Sequence, residues 1–383
     1  MKHLTYAKWF LFSLFAGNGL LFGYWAVHIP LIQKRFSVDA AQLGLLLLLI
    51  AGGSALTMLT SGKTLSWFGS KKLLLIGATG LFALLPVMMW TTHLAILIVA
   101  MGTFGIANGL MDVAMNEQAI RLEEAVIQKQ GKPILSGLHG AFSLGGLTGA
   151  SSGYLSLKEG SDGLLLAASL CIFGLIFLWV GERHLLAARQ ESHEEKGSWR
   201  ISKKLVLVAG MAFLVLLSEG AIADWSAVYL EKAIGVTPSR AALGYAIFSL
   251  AMAVGRFGGD YVRARAAAHD ILTFCGIIAT VGMSMVLWKA NEPITLIGFG
   301  LLGLGFSNIV PILFGASNDL PDTSPAMGLS IIVSCGYLGF LSGPVVIGFL
   351  IQHAGLTPAL SLIAVCSAVV AICASIALAN KDY

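Results

Sequence analysis

The chain is predicted to be an all-α membrane protein of twelve transmembrane helices, arranged as two parallel six-helix halves, and three observations predict it. Of its 383 residues 57% are hydrophobic and only 11% charged, with a mean hydropathy of +0.83; a soluble surface needs roughly twice that charge. Apolar stretches of about 20 residues, long enough to cross a hydrocarbon core about 30 Å thick, recur along the whole length. Two windows about two hundred residues apart also read alike. Gly17 to Ile29 and Ser218 to Leu230 align Gly19 on Gly220, Ala26 on Ala227 and Val27 on Val228, and Leu43-Gly44 recurs as Leu243-Gly244.

The spans fall at 8–30, 41–62, 73–91, 94–117, 136–156 and 163–182, then 205–230, 240–261, 269–288, 294–316, 326–351 and 357–379. Stretches this long, without apolar–polar alternation, satisfy their own backbone hydrogen bonds as helices rather than as barrel strands. Residues 1–183 are expected to form the first bundle and 205–383 the second. The polar connection 184–204, with its mixed charges, is expected to be a solvated cytoplasmic linker. The first span starts after only Lys2 and Lys8 with no small-residue cleavage site, so it is expected to be retained. Of 24 Lys and Arg residues, 18 fall at the termini and even-numbered connections and 6 on the odd ones, which predicts cytoplasmic termini in a bacterial-type inner membrane. The net charge of +4 therefore reports orientation in a lipid bilayer and gives no reason to expect nucleic acid. The cysteines, Cys171, Cys275, Cys335, Cys366 and Cys373, sit inside spans at no metal-ligand spacing and read as packing residues.

Polar groups inside the spans are the candidates for function, because an acid at the bilayer centre costs at least about 2.5 kcal/mol. In the first span Asn18 shares a stripe with Phe22 and Trp25, a surface suited to a small polar ligand. The fourth span carries Asn108, Asp112 and Asn116 at i, i+4 and i+8, a polar stripe that should not face lipid. In the fifth span His139 and Ser143 lie one turn apart, and a contact between His139 and Asp112 near the inner surface is open. Gly145, Gly149 and Gly153 in that span, like Gly339 and Gly343 in the eleventh, form small-residue stripes for close helix packing.

The seventh span holds Glu219 at its middle, aligned on Asn18 of the first half. Asp224, five residues on and rotated about 140° on an ideal helix, points elsewhere, so one cavity takes only one of the two unless the helix breaks. Asp224 lies nearer the outer end, where a hydrated or salt-bridged residue and a gating role are both open readings. Arg256 and Asp260 in the eighth span are spaced to pair along the helix and to brace or gate the cytoplasmic side. In the tenth, Asn308 aligns with Asp112, and Pro311 supplies a kink.

Twelve spans, a central linker and these motifs together resemble the major facilitator superfamily over essentially the whole chain. The loop S-G-K-T-L-S-W-F-G-S-K-K is similar to that superfamily's G-x-x-x-D-R-x-G-R-K signature, with Gly62, Gly69, Lys71 and Lys72 in place, but Ser66 and Trp67 replace its acid and arginine. The stretches G-L-M-D-V-A-M-N and L-H-G-A-F-S-L-G-G are similar to the fucose-permease-like branch, whose characterised members move sugars with protons. The resemblance implies a midplane site lined mainly from spans 1, 4, 7 and 10, between halves that rock about it.

The expected activity is secondary transport of a small polar solute, sugar-like or an organic acid, driven by a proton gradient with no cofactor or metal. Glu219 or Asp112 would couple the proton, since protonation removes the penalty of moving a charge through a low-dielectric site. Asn18, Trp25, Asn108, Asn116 and Asn308 would hold the solute, and Asp224, His139, Arg256 and Asp260 would gate it. The alternative is a proton-driven exporter of a drug-like or siderophore-like compound, although the Gly-Pro motif of such exporters is absent from the fifth span, where Ala150 follows Gly149. A membrane-embedded sensor or enzyme is the distant third reading, because no HExxH, Gly-x-Ser-x-Gly or signalling domain occurs. The chain is expected to act as a monomer.

Overall fold

The computed structural model describes residues 2–130, 134–159, 163–186, 202–263, 265–288, 291–320 and 325–378. The first half comprises α1 (Lys2–Arg35), α2 (Ala40–Leu59), α3 (Ser61–Trp90), α4 (Leu94–Gln130), α5 (Leu135–Lys158) and α6 (Leu164–Gly181). The second comprises α7 (Lys203–Tyr229), α8 (Pro238–Arg263), α9 (Ala268–Leu287), α10 (Glu292–Phe306), α11 (Ile309–Gly315), α12 (Pro325–Ala354) and α13 (Leu356–Leu378). With α10 and α11 taken as one span, eleven segments among the described residues are long and apolar enough to cross a membrane. The twelfth, α5, has 24 residues but is diluted by glycine and serine. Residues 187–201, most of the expected linker, lie outside the described residues.

Local chemistry sets the departures from straight helices. Gly69 adopts φ 70° and ψ 152°, a conformation open to glycine, and turns the segment Ser61–Phe68 away from the third span. That short segment holds Trp67 and Phe68 outward, 73% and 52% exposed, as suits a helix lying in the interface. The kink expected at Pro311 is instead a full break at Ser307 and Asn308 between α10 and α11. Proline has no N–H to offer the carbonyl of Ser307, and its ring crowds that same carbonyl.

Packing within the first half depends on glycine where lipid supplies no hydrophobic drive. A methyl group added at Gly19, Gly23, Gly145 or Gly149 would collide with a backbone carbonyl of the facing helix, so α1 and α5 lie backbone to backbone. Leu165, Phe173, Phe274 and Ile372 stand exposed on the outer faces, where hydrocarbon replaces water.

The halves meet through α5 with α8 and through α2 with α12. They close tightly at the end opposite the chain termini. There Lys34 of α1 pairs with Glu231, and Lys232 Nζ donates to Gln33 Oε1 at 2.6 Å. Gly44 and Gly348 bring α2 and α12 together, each with the other helix's backbone so near that a Cβ would stand 2.6 Å from the Pro344 carbonyl or 2.7 Å from that of Ala40.

Candidate functional site

Two acids at mid-span are tied to the opposite half of the molecule, one through an arginine and one through a tyrosine. Glu219 projects from α7, and Arg256 Nη2 of α8 donates to its Oε1 at 3.3 Å. The same guanidinium crosses to the first half, where Nη1 donates to Ser143 Oγ at 2.9 Å and to the His139 carbonyl at 3.5 Å. The pair is nearly enclosed, with side chains 12% (Arg256) and 17% (Glu219) exposed. The second carboxylate oxygen, Oε2, is buried with no hydrogen-bond partner among the described residues. Arg256 thus joins the halves rather than only bracing α8, while the side chain of its expected partner Asp260 lies outside the described residues.

Asp224 makes no hydrogen bond among the described residues, and α7 runs unbroken past it to Tyr229. Even so, Tyr245 of α8 lies within electrostatic reach of both Glu219 and Asp224 as well as of Arg256.

The polar stripe of α4 avoids lipid by facing two different helices. Asn108 Nδ2 donates to Ser54 Oγ of α2 at 3.1 Å, and Asn108 Oδ1 is buried without a partner. One turn on, Asp112 Oδ1 accepts from Asn116 Nδ2 at 3.1 Å, and Oδ2 accepts from the hydroxyl of Tyr337 at 2.8 Å. Tyr337 belongs to α12, so this bond too joins the halves. The open contact between His139 and Asp112 is not made: the His139 ring packs edge-on against Phe15 of α1, with centroids 5.3 Å apart, and the partners of Asp112 are Asn116 and Tyr337. The close approach of α1 and α5 turns His139 toward α1 instead.

Asn18 and Trp25 are both buried at 2% exposure in α1, and Asn18 Oδ1 has no partner among the described residues. Asn308 serves the break between α10 and α11. Its amide nitrogen donates to the Gly255 carbonyl of α8 at 3.1 Å and to Ser307 Oγ at 3.0 Å, so it is occupied in holding the broken span to its neighbour. Asn308, expected to orient the solute, spends its amide N–H groups on Gly255 and Ser307.

Tyr337 and Tyr245 were not singled out by sequence, nor were the residues closing the far end, Gln33, Lys34, Glu231 and Lys232. A tyrosine hydroxyl in the middle of an otherwise apolar span was the available signal for Tyr337, because a buried hydroxyl needs a partner. The end residues read as ordinary interfacial charges until the halves are brought together.

No family model matches the chain. It is 33% identical over 348 residues to an uncharacterised MFS-type transporter of Yersinia pestis, covering 90% of this chain and 89% of that one. It is 34% identical over 363 residues to the membrane protein MosC of Rhizobium meliloti, with 94% and 87% covered. Among solved structures the fold is similar to the nucleoside transporter NupG, with TM-score 0.78 at 12% identity over 97% of this chain and 99% of that one. It is likewise similar to a D-xylose–proton symporter, with TM-score 0.69 at 14% identity over 96% and 97%. With the two-half helical fold and inter-half polar bonds already in place, a relative of this identity across nearly the whole length decides the matter: the chain belongs to the major facilitator superfamily of membrane transporters.

Proposed function

We propose that this transporter is a proton-coupled importer of a small polar solute, working by alternating access with Glu219 as the principal coupling acid. One observation carries the reading: Glu219 has a buried oxygen without a partner and shares its other oxygen with an arginine that also holds the first half. A proton on Glu219 removes the negative charge, which weakens its bond to Arg256 and loosens one link between the halves. Deprotonation restores the pair. Asp112 is the second candidate, its carboxylate held across the halves by Tyr337.

The unsatisfied buried atoms at mid-span on Asn18, Asn108 and Glu219 are all acceptors. A solute that offers donors, hydroxyl or amino groups, answers them, and this favours a polyhydroxylated solute over an organic acid. Trp25 and Asn116 would complete the walls of the solute site. Residues 1–183 and 205–383 would move as the two bodies, joined by the cytoplasmic connection 184–204, in a bacterial inner membrane with both termini inside. Asp224, His139, Arg256 and Asp260 would set the gates, and a single chain would suffice.

Uptake into proteoliposomes, across a panel of sugars, polyols, organic acids and siderophores with and without an imposed pH gradient, tests the reading. Stimulation of polyol or sugar uptake by an acidic exterior supports it. Gradient-independent uptake, or extrusion of amphipathic compounds alone, overturns it.

A further inference from the structure

We infer that a second ligand site lies at the end of the molecule opposite the termini, built to hold a small amphiphilic anion. A cavity of about 330 Å³ opens there between the halves, within the size range of small-molecule sites. Gln33 and Ala40 of the first half line one side; Trp225, Val228, Lys232 and the turn from Ile351 to Pro358 line the other.

Its polar groups point to an anion. Lys232 contributes an ammonium that donates to one acceptor among the described residues, Gln33 Oε1 at 2.6 Å, and so keeps donor capacity for a ligand. Trp225 is wholly buried, and its indole N–H has no partner among the described residues. Leaving a buried donor unpaired is unfavourable, so an acceptor brought to it is favoured. No carboxylate lines the cavity; the adjacent Glu231, within electrostatic reach of Lys232, pairs with Lys34 through Oε1, and its buried Oε2 has no partner among the described residues. Val228, Ile351, Leu356 and Pro358 provide apolar wall for the rest of the molecule. The position is separate from the acids at mid-span, because Trp225 lies about 9 Å further along α7 than Glu219 at 1.5 Å per residue.

The same chemistry, an anion with an apolar body, could arrive as a free carboxylate from the aqueous mouth or as a lipid headgroup with its chain. Benzoate is a suitable probe, with uncharged benzamide as its isostere. The full chain, reconstituted in phosphatidylcholine nanodiscs, is titrated with each by calorimetry. The expected result is one saturable benzoate site per chain, with benzamide bound at least about tenfold more weakly, since a hydrogen bond to a charged partner contributes about 1.5–3 kcal/mol. Lys232→Met should weaken benzoate by about tenfold for the same reason, and Trp225→Phe, which keeps an aromatic ring and removes the donor, by about fivefold. Lys158→Met, which removes another cation at the same end, should leave the affinity unchanged. Competition by phosphatidylglycerol in the disc assigns the site to a lipid headgroup, and its absence assigns it to a soluble carboxylate; either upholds the site. No saturable benzoate binding, equal binding of benzamide, or equal loss in Lys158→Met overturns it.

Discussion

Replacing Glu219 tests whether its pairing with Arg256 is a working link or an incidental surface contact. An exposed ion pair contributes about 0.2–1 kcal/mol, whereas removing one partner of a fully buried pair costs about 3–5 kcal/mol. Side chains 12% and 17% exposed put this pair near the buried end of that range. Two neutral acceptors soften the loss, because Ser143 Oγ at 2.9 Å and the His139 carbonyl at 3.5 Å remain for the guanidinium. Glu219→Ala should therefore destabilise the protein by about 2–3 kcal/mol, and Glu219→Gln, which keeps an acceptor but not the charge, by about 1–2 kcal/mol. The assay is unfolding by SDS titration in mixed micelles, with Arg256→Met and the double variants completing a mutant cycle. A coupling energy of about 2 kcal/mol is expected between positions 219 and 256. A value within about 0.5 kcal/mol of zero, the level expected of independent sites, refutes the reasoning.

Three further outcomes follow from the same contacts. Tyr337→Phe strips the donor from Asp112 Oδ2 and should lower stability by about 1–3 kcal/mol in the SDS titration, while Tyr261→Phe, on a residue 65% exposed, should leave the midpoint in place. Gly145→Leu drives a side chain into the Ala16 carbonyl and should abolish recovery of folded protein from membranes, whereas Gly210→Leu, where a Cβ meets nothing within 4 Å, should be recovered normally, as gel filtration of the two would show. Lys34→Cys with Glu231→Cys replaces the ion pair at the far end by two thiols, and bridging them with a reducible bis-thiosulfonate crosslinker should stop transport, with reduction restoring it; turnover that continues in the crosslinked protein would mean that this end need not open.

Much of the fold was legible because the bilayer is a demanding solvent. Spans of about 20 apolar residues have one outcome there, and the alignment of Gly17 to Ile29 on Ser218 to Leu230 exposed the repeat. The glycine stripes were equally readable, since close approach of α1 and α5 tolerates nothing larger at Gly145 and Gly149. Periodicity also placed the stripe of α4 away from lipid. It could not say which neighbour each residue would meet, and Asn108 went to α2 while Asp112 went to α12. Helical geometry fixes the direction of a side chain on its own axis, but partners from another helix depend on register and crossing angle. For that reason His139 turned to Phe15 and Asn308 was taken up by Gly255.

Glu219 is expected to carry the proton that moves with the solute. Solute-induced proton flux, recorded on proteoliposomes adsorbed to a solid-supported membrane once a transported solute is in hand, tests it most directly. Wild-type protein should give a current on addition of solute, and Glu219→Gln should give none while still exchanging labelled solute across the membrane. A full solute-induced current in Glu219→Gln would contradict the account.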